Sequence, residues 1–324
     1  MYASKVSTEL SKKKISIITP CFNEELSIQF CISSVRELMS QLSAYDYEHI
    51  IADNASKDRT VAIVKEEIEL DSKVKLIVNS RNVGPFRNMW NALKSATGDV
   101  IVPFLPADLQ DPVGVIPEFL AHHEKGALVV YGIRENRQEG FALKNSRKLY
   151  YRIIKRFSSA DIPLNAGEFL LIDRVILQSV LRIDDEYPYI RGLIAQTGVP
   201  YETVPYDWNV RQHGKSRNSI LDLIDQAING FVSTNRVTGR LILLSGFFIS
   251  FLSIAVALIM TLSFLFLAPE VEKGIPLLIV TMFFMGGIQI FFLGILGEYI
   301  MSTHSQIRKS PPMFEIERLN FNDN

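Results

Sequence analysis

Oxygen-bearing side chains gather at the end of one apolar run. The stretch Gly98-Asp99-Val100-Ile101-Val102-Pro103-Phe104-Leu105-Pro106-Ala107-Asp108-Leu109-Gln110-Asp111-Pro112 climbs from a Gly-Asp turn through residues of strand character into a carboxylate and amide cluster. In open α/β sheets, ligands sit just beyond the carboxyl ends of the strands. Asp108, Gln110 and Asp111 would stand at such an edge, offering hard oxygens that suit Mg²⁺ or Mn²⁺ clamped against phosphates. An Asp before a Pro-started helix is also ordinary N-cap chemistry, and the stretch alone leaves both readings open. Cations lie further along. Arg134, Arg137 and Lys144 sit in a charged loop, Arg147 in the basic helix after it, and Arg191 in a short helix. Arg211, Lys215 and Arg217 surround Gly214. Acidic strand ends facing Arg/Lys-rich loops form the pattern of a metal–diphosphate site, with Arg able to grip phosphate through two donors. The last three cations could equally hold a lipid phosphate or be a positive flank beside a membrane helix.

The elements that must position these groups alternate. Lys14–Pro20, Tyr47–Asp53, Val74–Val78 and Val100–Leu105 read as strands. Helices follow from Asn23-Glu24-Glu25 to about Gln41, after Asp53–Asp58, and over Phe86–Ala96. Such alternation argues for βαβ units and a mainly parallel sheet. It brings Glu24, Asp53, Gly84 and Asp108 to one edge. A helix over Val113–His123, a strand over Ala127–Ile133, a helix over Ser146–Phe157, a strand-like run Asn165–Asp173, a helix over Tyr189–Gln196 and a strand over Tyr201–Val210 complete the head. Glu168 stands in an otherwise small or apolar part of that run. No GxGxxG or Walker loop is present, which removes support for a dehydrogenase or a P-loop enzyme.

Composition divides the chain of 324 residues. Leu241–Ala268 and Ile275–Gly297 carry no charged residue over 28 and 23 positions, each longer than the ~20 residues a membrane-spanning helix needs. Arg236 and Arg240 precede the first run and Arg308-Lys309 follow the second. The positive-inside bias therefore puts both termini and the head in the cytoplasm of an integral membrane protein. The expected organisation is a head over 1–215, a juxtamembrane amphipathic helix over 216–240, spans at 241–268 and 275–300, and a polar tail over 301–324 that folds back onto the head. Gly286, Gly287, Gly294 and Gly297 would let helices approach closely, which favours homo-oligomers. A net charge of −1 gives no basis for nucleic-acid binding. Two cysteines, Cys21 and Cys31, fit a reducing compartment rather than a disulfide framework. The five histidines show no metal-ligand spacing, and His122-His123 is expected on a helix surface.

The motifs form an ordered series. Thr19-Pro20-Cys21-Phe22-Asn23-Glu24-Glu25, Asp53-Asn54-Ala55-Ser56-Lys57-Asp58, Arg81-Asn82-Val83-Gly84, Ala96-Thr97-Gly98-Asp99 and Ala107-Asp108-Leu109-Gln110-Asp111-Pro112 resemble the successive motifs of family 2 glycosyltransferases. Asn165-Ala166-Gly167-Glu168-Phe169, Arg211–Arg217 and Leu296-Gly297-Glu298-Tyr299-Ile300 extend the match toward the polyprenyl-phosphate members, the bactoprenol glucosyltransferases and dolichyl-phosphate-mannose-synthase-like enzymes.

The resemblance implies a GT-A fold. It also implies inverting, metal-dependent transfer from a nucleotide sugar, by default UDP-linked, to a polyprenyl phosphate such as undecaprenyl phosphate, at a bacterial inner membrane. Pro20, Phe22, Glu24, Asp53, Ser56 and Ala107 would line the nucleotide, and Gly84 would let backbone approach it. Asp108 and Gln110 would hold Mg²⁺ or Mn²⁺. Arg134, Lys144, Arg147, Arg191, Arg211, Lys215 and Arg217 would meet phosphates, and Asp108 and Glu168 would be the catalytic carboxylates. Three positions depart from the family pattern. Pro106 replaces the first Asp of Asp-x-Asp, Asn54-Ala55 replaces Asp-Gly, and Leu170 replaces an Arg. They leave a second reading: a degenerate protein that binds a nucleotide sugar or a partner without turnover. A processive polysaccharide synthase would need more spans and a Gln-x-x-Arg-Trp motif, and the sequence has neither.

Overall fold

The computed structural model describes residues 12–135, 162–163, 165–183, 188–209, 274–308 and 313–321. Eight strands form one sheet: β1 Lys13–Cys21, β2 Tyr45–Asp53, β3 Val74–Asn79, β4 Val100–Val102, β5 Val129–Glu135, β6 Ala166–Asp173, β7 Glu202–Asp207 and β8 Glu315–Leu319. Their order across the sheet is β7-β5-β6-β4-β1-β2-β3-β8. The β1–β2, β1–β4, β2–β3 and β5–β7 pairs are parallel, while β4–β6, β5–β6 and β3–β8 are antiparallel. One edge of the sheet therefore collects the carboxyl ends of β1–β5 and β7 together with the amino ends of β6 and β8.

Helices cover both faces. Alternation along β1 sends Ile15 and Ile17 into one cluster and Ile18 into the other, as a strand's period of two requires. On the first face, α1 (Ile28–Gln41) supplies Cys31, Val35 and Met39, and α4 (Ile116–Glu124) supplies Ile116, Phe119 and Leu120. Beside them, α2 (Thr60–Leu70) packs Val64 against Ile28, Ile32 and Ile51. On the second face, α3 (Pro85–Lys94), α5 (Arg174–Leu181) and α6 (Ile190–Gln196) pack Trp90, Leu177 and Leu193 under Ile50 and Ile77. The site sits on a sheet buried on both faces, which gives its strand ends a rigid base.

One buried charge is knitted into the far edge. Glu48 is 1% exposed and accepts from Ser16 Oγ at 2.5 Å, Thr97 N at 2.6 Å and Lys75 Nζ at 2.7 Å, with Lys14 Nζ at 2.9 Å. These donors hold its pKa down at about 2, against burial.

Several expectations are corrected. The helix after β1 begins at Ile28, not Asn23, and carries no acidic residue in its first turn; Glu24 instead caps the preceding turn, its carbonyl accepting from Ser27 N and Ile28 N. β4 ends at Val102, before the expected Leu105, although Leu105 N still donates to Ile18 O of β1 at 2.8 Å. His123 is not on the surface: it is 8% exposed, and its Nε2 meets Asp173 Oδ2 at 2.9 Å. The C-terminal tail does return to the head, and it does so as β8. Both cysteines are buried and free.

Contacts divide the chain into two units, the head with residues 311–324 and a second unit containing residues 224–310. In the second unit the described element is α7, a single helix over Gly274–Arg308 of 35 residues. Among the described residues no helix is long and apolar enough to cross a membrane. The 216–240 helix and the 241–268 span expected from sequence lie outside the described residues.

Candidate functional site

The loops after β1 and β2 are laced into one surface. Asn23 N donates to Ser56 Oγ at 2.8 Å, Lys57 N to Asn23 Oδ1 at 2.7 Å, Glu24 N to Thr60 Oγ1 at 2.8 Å and Asn54 N to Cys21 O at 2.9 Å. Pro20 pairs with Ala52, and Phe22 and Glu24 are half-buried beside them. Asp53 is fully buried. One carboxylate oxygen accepts from Ser56 N at 2.9 Å and the other faces Cys21 Sγ at 3.8 Å, while burial pushes its pKa up. The turn forces Ala55 to φ +63°, a left-handed conformation that favours glycine.

A chain of amides carries this surface to the loop after β3. Asn54 Nδ2 donates to Asn82 Oδ1 at 2.8 Å, and Asn54 Oδ1 accepts from Val83 N at 2.9 Å. Asn88, on α3, donates to Ala52 O at 2.7 Å and accepts from Asn79 Nδ2 at 2.7 Å. Gly84 ends the loop at φ +86°, and a Cβ there would meet nothing within 4 Å. Backbone is thus presented to open space at the amino end of α3. Asn54 and Asn82 fall within the motifs read from sequence, but their pairing, and Asn79 and Asn88 altogether, were not evident there.

Beyond β4, Ala107 is buried and Asp108 half-buried. Asp108 Oδ1 accepts from Gln110 N at 3.2 Å, closing a short turn through Leu109 at φ +51°. Asp111 departs from the sequence expectation of a third hard ligand. It is fully buried, and its two oxygens accept from Arg134 Nε and Nη2 at 3.0 and 2.7 Å, while Tyr206 Oη donates to it at 2.6 Å. A carboxylate so engaged is a counter-ion for Arg134, not a metal ligand. The guanidinium also lies 5.4 Å from the Trp208 ring centroid, and its pKa is raised, as a paired cation's should be.

Glu168 enters from the amino end of β6, beside the same cluster. Its Oε1 lies 3.6 Å from Arg191 Nε, and its buried Oε2 has no hydrogen-bond partner among the described residues. Burial raises its pKa, with Arg191 and Arg134 opposing the shift. Arg191 is itself held by Tyr189 Oη at 3.0 Å and by the Ala166 carbonyl. Gly167 leaves room for Arg134: a Cβ there would lie 2.9 Å from the guanidinium carbon, so the Arg134 side chain would have to shift. Lys144, Arg147, Arg211, Lys215 and Arg217 lie outside the described residues. Tyr206, Trp208 and Tyr189 were not singled out from sequence, because nothing in their spacing ties them to a cation.

The metal question turns on donor chemistry. No group of three His, Cys, Asp or Glu able to hold an ion occurs among the described residues. Asp108 and Gln110 supply oxygens, and Asp111 is withdrawn by Arg134. Such a sparse set fits Mg²⁺ or Mn²⁺ that takes its remaining ligands from substrate phosphates and water.

A doubly covered α/β sheet thus carries carboxylates, amides and a glycine loop at one edge, with two held cations beside them. The family model for glycosyl transferase family 2 matches residues 16–181. The chain belongs to that family and is a glycosyltransferase with a GT-A α/β head. It is 29% identical to the uncharacterized glycosyltransferase YkcC of Bacillus subtilis, covering 91% of both chains. It is 29% identical to the prophage bactoprenol glucosyl transferase homolog of Escherichia coli, covering 92% of this chain and 97% of that one. Among solved structures it is similar to glucosyl-3-phosphoglycerate synthase of Mycobacterium tuberculosis, at 20% identity and TM-score 0.49 over 68% of this chain and 78% of that one.

Proposed function

We propose that the protein transfers a sugar, with inversion, from a nucleoside diphosphate sugar to a polyprenyl phosphate at the cytoplasmic face of a membrane. The observation that carries this reading is the shared edge. The Asp53, Gly84 and Asp108 loops stand at the ends of parallel strands, and Glu168, Arg134 and Arg191 stand beside them. The nucleotide would lie along Pro20, Phe22, Glu24, Asp53, Ser56, Gly84 and Ala107. Asp108 and Gln110 would hold Mg²⁺ or Mn²⁺, which neutralises charge on the leaving diphosphate. Arg134 and Arg191 would meet the acceptor phosphate, joined by Lys144, Arg147, Arg211, Lys215 and Arg217.

A phosphate monoester is already ionised near neutral pH, its second pKa being about 6. Its oxygen attacks the anomeric carbon as the bond to the diphosphate breaks, so no side chain has to remove a proton. Glu168, whose buried carboxyl has a raised pKa, would orient the acceptor or the sugar.

The membrane part of the proposal rests on the sequence, where Leu241–Ala268 and Ile275–Gly297 carry no charged residue and each exceeds the ~20 residues a span needs; α7 contains the second run. Leu278, Met282, Ile290, Leu293 and Ile300 on it are exposed, as lipid-facing side chains would be. The relatives named bactoprenol glucosyl transferase support the same acceptor class. Purified protein in detergent, given undecaprenyl phosphate, Mg²⁺ or Mn²⁺ and one labelled nucleotide sugar at a time, should move label into the organic-extractable lipid. No transfer from any donor would contradict the proposal.

A further inference from the structure

The eighth strand comes from the far end of the chain, yet it abuts the Asn79–Gly84 loop. β8 runs antiparallel to β3, with Asn79 opposite Glu315 and a bulge between Val78 and Asn79. Ser80 N, the next donor along, hydrogen-bonds to Phe314 O at 2.8 Å. The same strand reaches α3 on the other side of the loop. Glu315 Oε1 accepts from Asn91 Nδ2 at 2.6 Å, and Arg318 Nη2 donates to Ser95 Oγ at 2.5 Å. Lys65 pairs with Glu317 at 2.7 Å, and Arg318 and Lys75 lie over the Phe321 ring at 4.4 and 4.9 Å. One short segment thus bridges the two elements that the loop connects.

Phe314 and Ile316 are 73% and 64% exposed, while Leu319 and Phe321 pack against the core clusters, so apolar contact gathers at the far end of the segment and polar contacts hold the end beside the loop. Exposed ion pairs contribute little each, and five residues form a short edge strand. Glu317 and Arg318 also make the outer edge unattractive to further strands. A strand held this way has a docking equilibrium that a ligand of the adjoining loop can bias.

We propose that β8 is a positioning element of the donor site, and that its docking and nucleotide binding strengthen each other. This rests on the donor site proposed above. When β8 leaves, Ser80 loses its backbone acceptor and α3 loses two side-chain anchors, so the Asn82–Gly84 turn loses support on the β8 side while keeping its bonds to Asn54. Coupling of this kind is reciprocal: nucleotide must tighten β8 by the factor by which β8 tightens nucleotide.

The test uses the full chain in detergent and a variant ending at Pro312. Binding of UDP, GDP, ADP and CDP is measured by calorimetry, and backbone hydrogen exchange is followed with and without the nucleotide that binds. The truncated chain should bind that nucleotide about tenfold more weakly, and a synthetic peptide of residues 311–324 should restore binding. If truncation unfolds the head, the Glu315→Ala/Arg318→Ala double variant takes its place and should raise the nucleotide Kd severalfold. In the intact protein, nucleotide should slow exchange of the amides over 315–319. Equal affinity with and without docked β8, or exchange there indifferent to nucleotide, overturns the coupling while leaving the donor site standing. A full chain that binds none of the four nucleotides overturns the donor site and the coupling with it.

Discussion

The Asp111–Arg134 pair allows a quantitative test. The Asp111 side chain is 0% and the Arg134 side chain 17% exposed, and Tyr206 adds a third hydrogen bond at 2.6 Å. Asp111→Ala would strand the guanidinium with its main counter-charge removed. Breaking a buried pair from one side costs about 3–5 kcal/mol. The small exposure of Arg134 lets water offset part of this, so about 3 kcal/mol is expected. For a head of this size that lowers Tm by about 6–12 °C, measurable by thermal unfolding in detergent. Adding Arg134→Met removes the stranded charge, so the double variant should be less destabilised than the sum of the singles by at least ~0.5 kcal/mol. A single-variant change within ~0.5 kcal/mol, or strict additivity, would refute the argument that Asp111 serves as the counter-ion of Arg134.

Three further outcomes follow from the same structure. Glu48 has a pKa held down at about 2 from an ordinary 4.5; its stabilisation is fully present above 4.5 and lost as pH falls toward 2. It amounts to roughly 3 kcal/mol at 1.36 kcal/mol per unit, and acid unfolding of Glu48→Gln should lack that slope. Ala55→Gly should raise stability by about 1 kcal/mol in denaturant titrations, since the φ of +63° costs an L-residue about 1–2 kcal/mol and the flexibility of Gly offsets part of the gain. Glu168 has a raised pKa, so its stabilisation is present below the ordinary carboxylate value and lost as pH rises through the folded one. Glu168→Gln should remove that pH dependence of Tm. If the residue orients rather than deprotonates, Gln should keep transfer within about tenfold, while Glu168→Ala should lose about a hundredfold.

The framework was readable in the sequence because β1 to β3 announce themselves locally. Each is an apolar run closed by Pro, Asp or Asn, and each is followed by a helix. That local pattern was enough to bring Asp53, Gly84 and Asp108 to one edge. Pairings with distant partners were not readable. Asp111 resembles its neighbour Asp108 in type and position, and only the fold reveals that Arg134 and Tyr206 claim it. His123 falls in a charged, helical-looking stretch, but Asp173 meets it from β6. The tail was expected to return to the head, and the alternation of Glu315-Ile316-Glu317 hints at a strand. Its partner β3 lies more than two hundred residues upstream, beyond the reach of any local rule. The Asn54–Asn82 and Asn79–Asn88 pairs were missed for the same reason, since an asparagine advertises a turn rather than its partner.

Asp108→Ala offers the most direct measurement, with nucleotide binding and label transfer to undecaprenyl phosphate determined on the same preparations. The account predicts that the wild-type chain transfers label, that EDTA abolishes transfer, and that the variant keeps its fold while losing turnover by at least a hundredfold. Nucleotide binding by both proteins with no transfer by either would contradict it, and would mark Pro106 as the sign of a binding protein without catalysis.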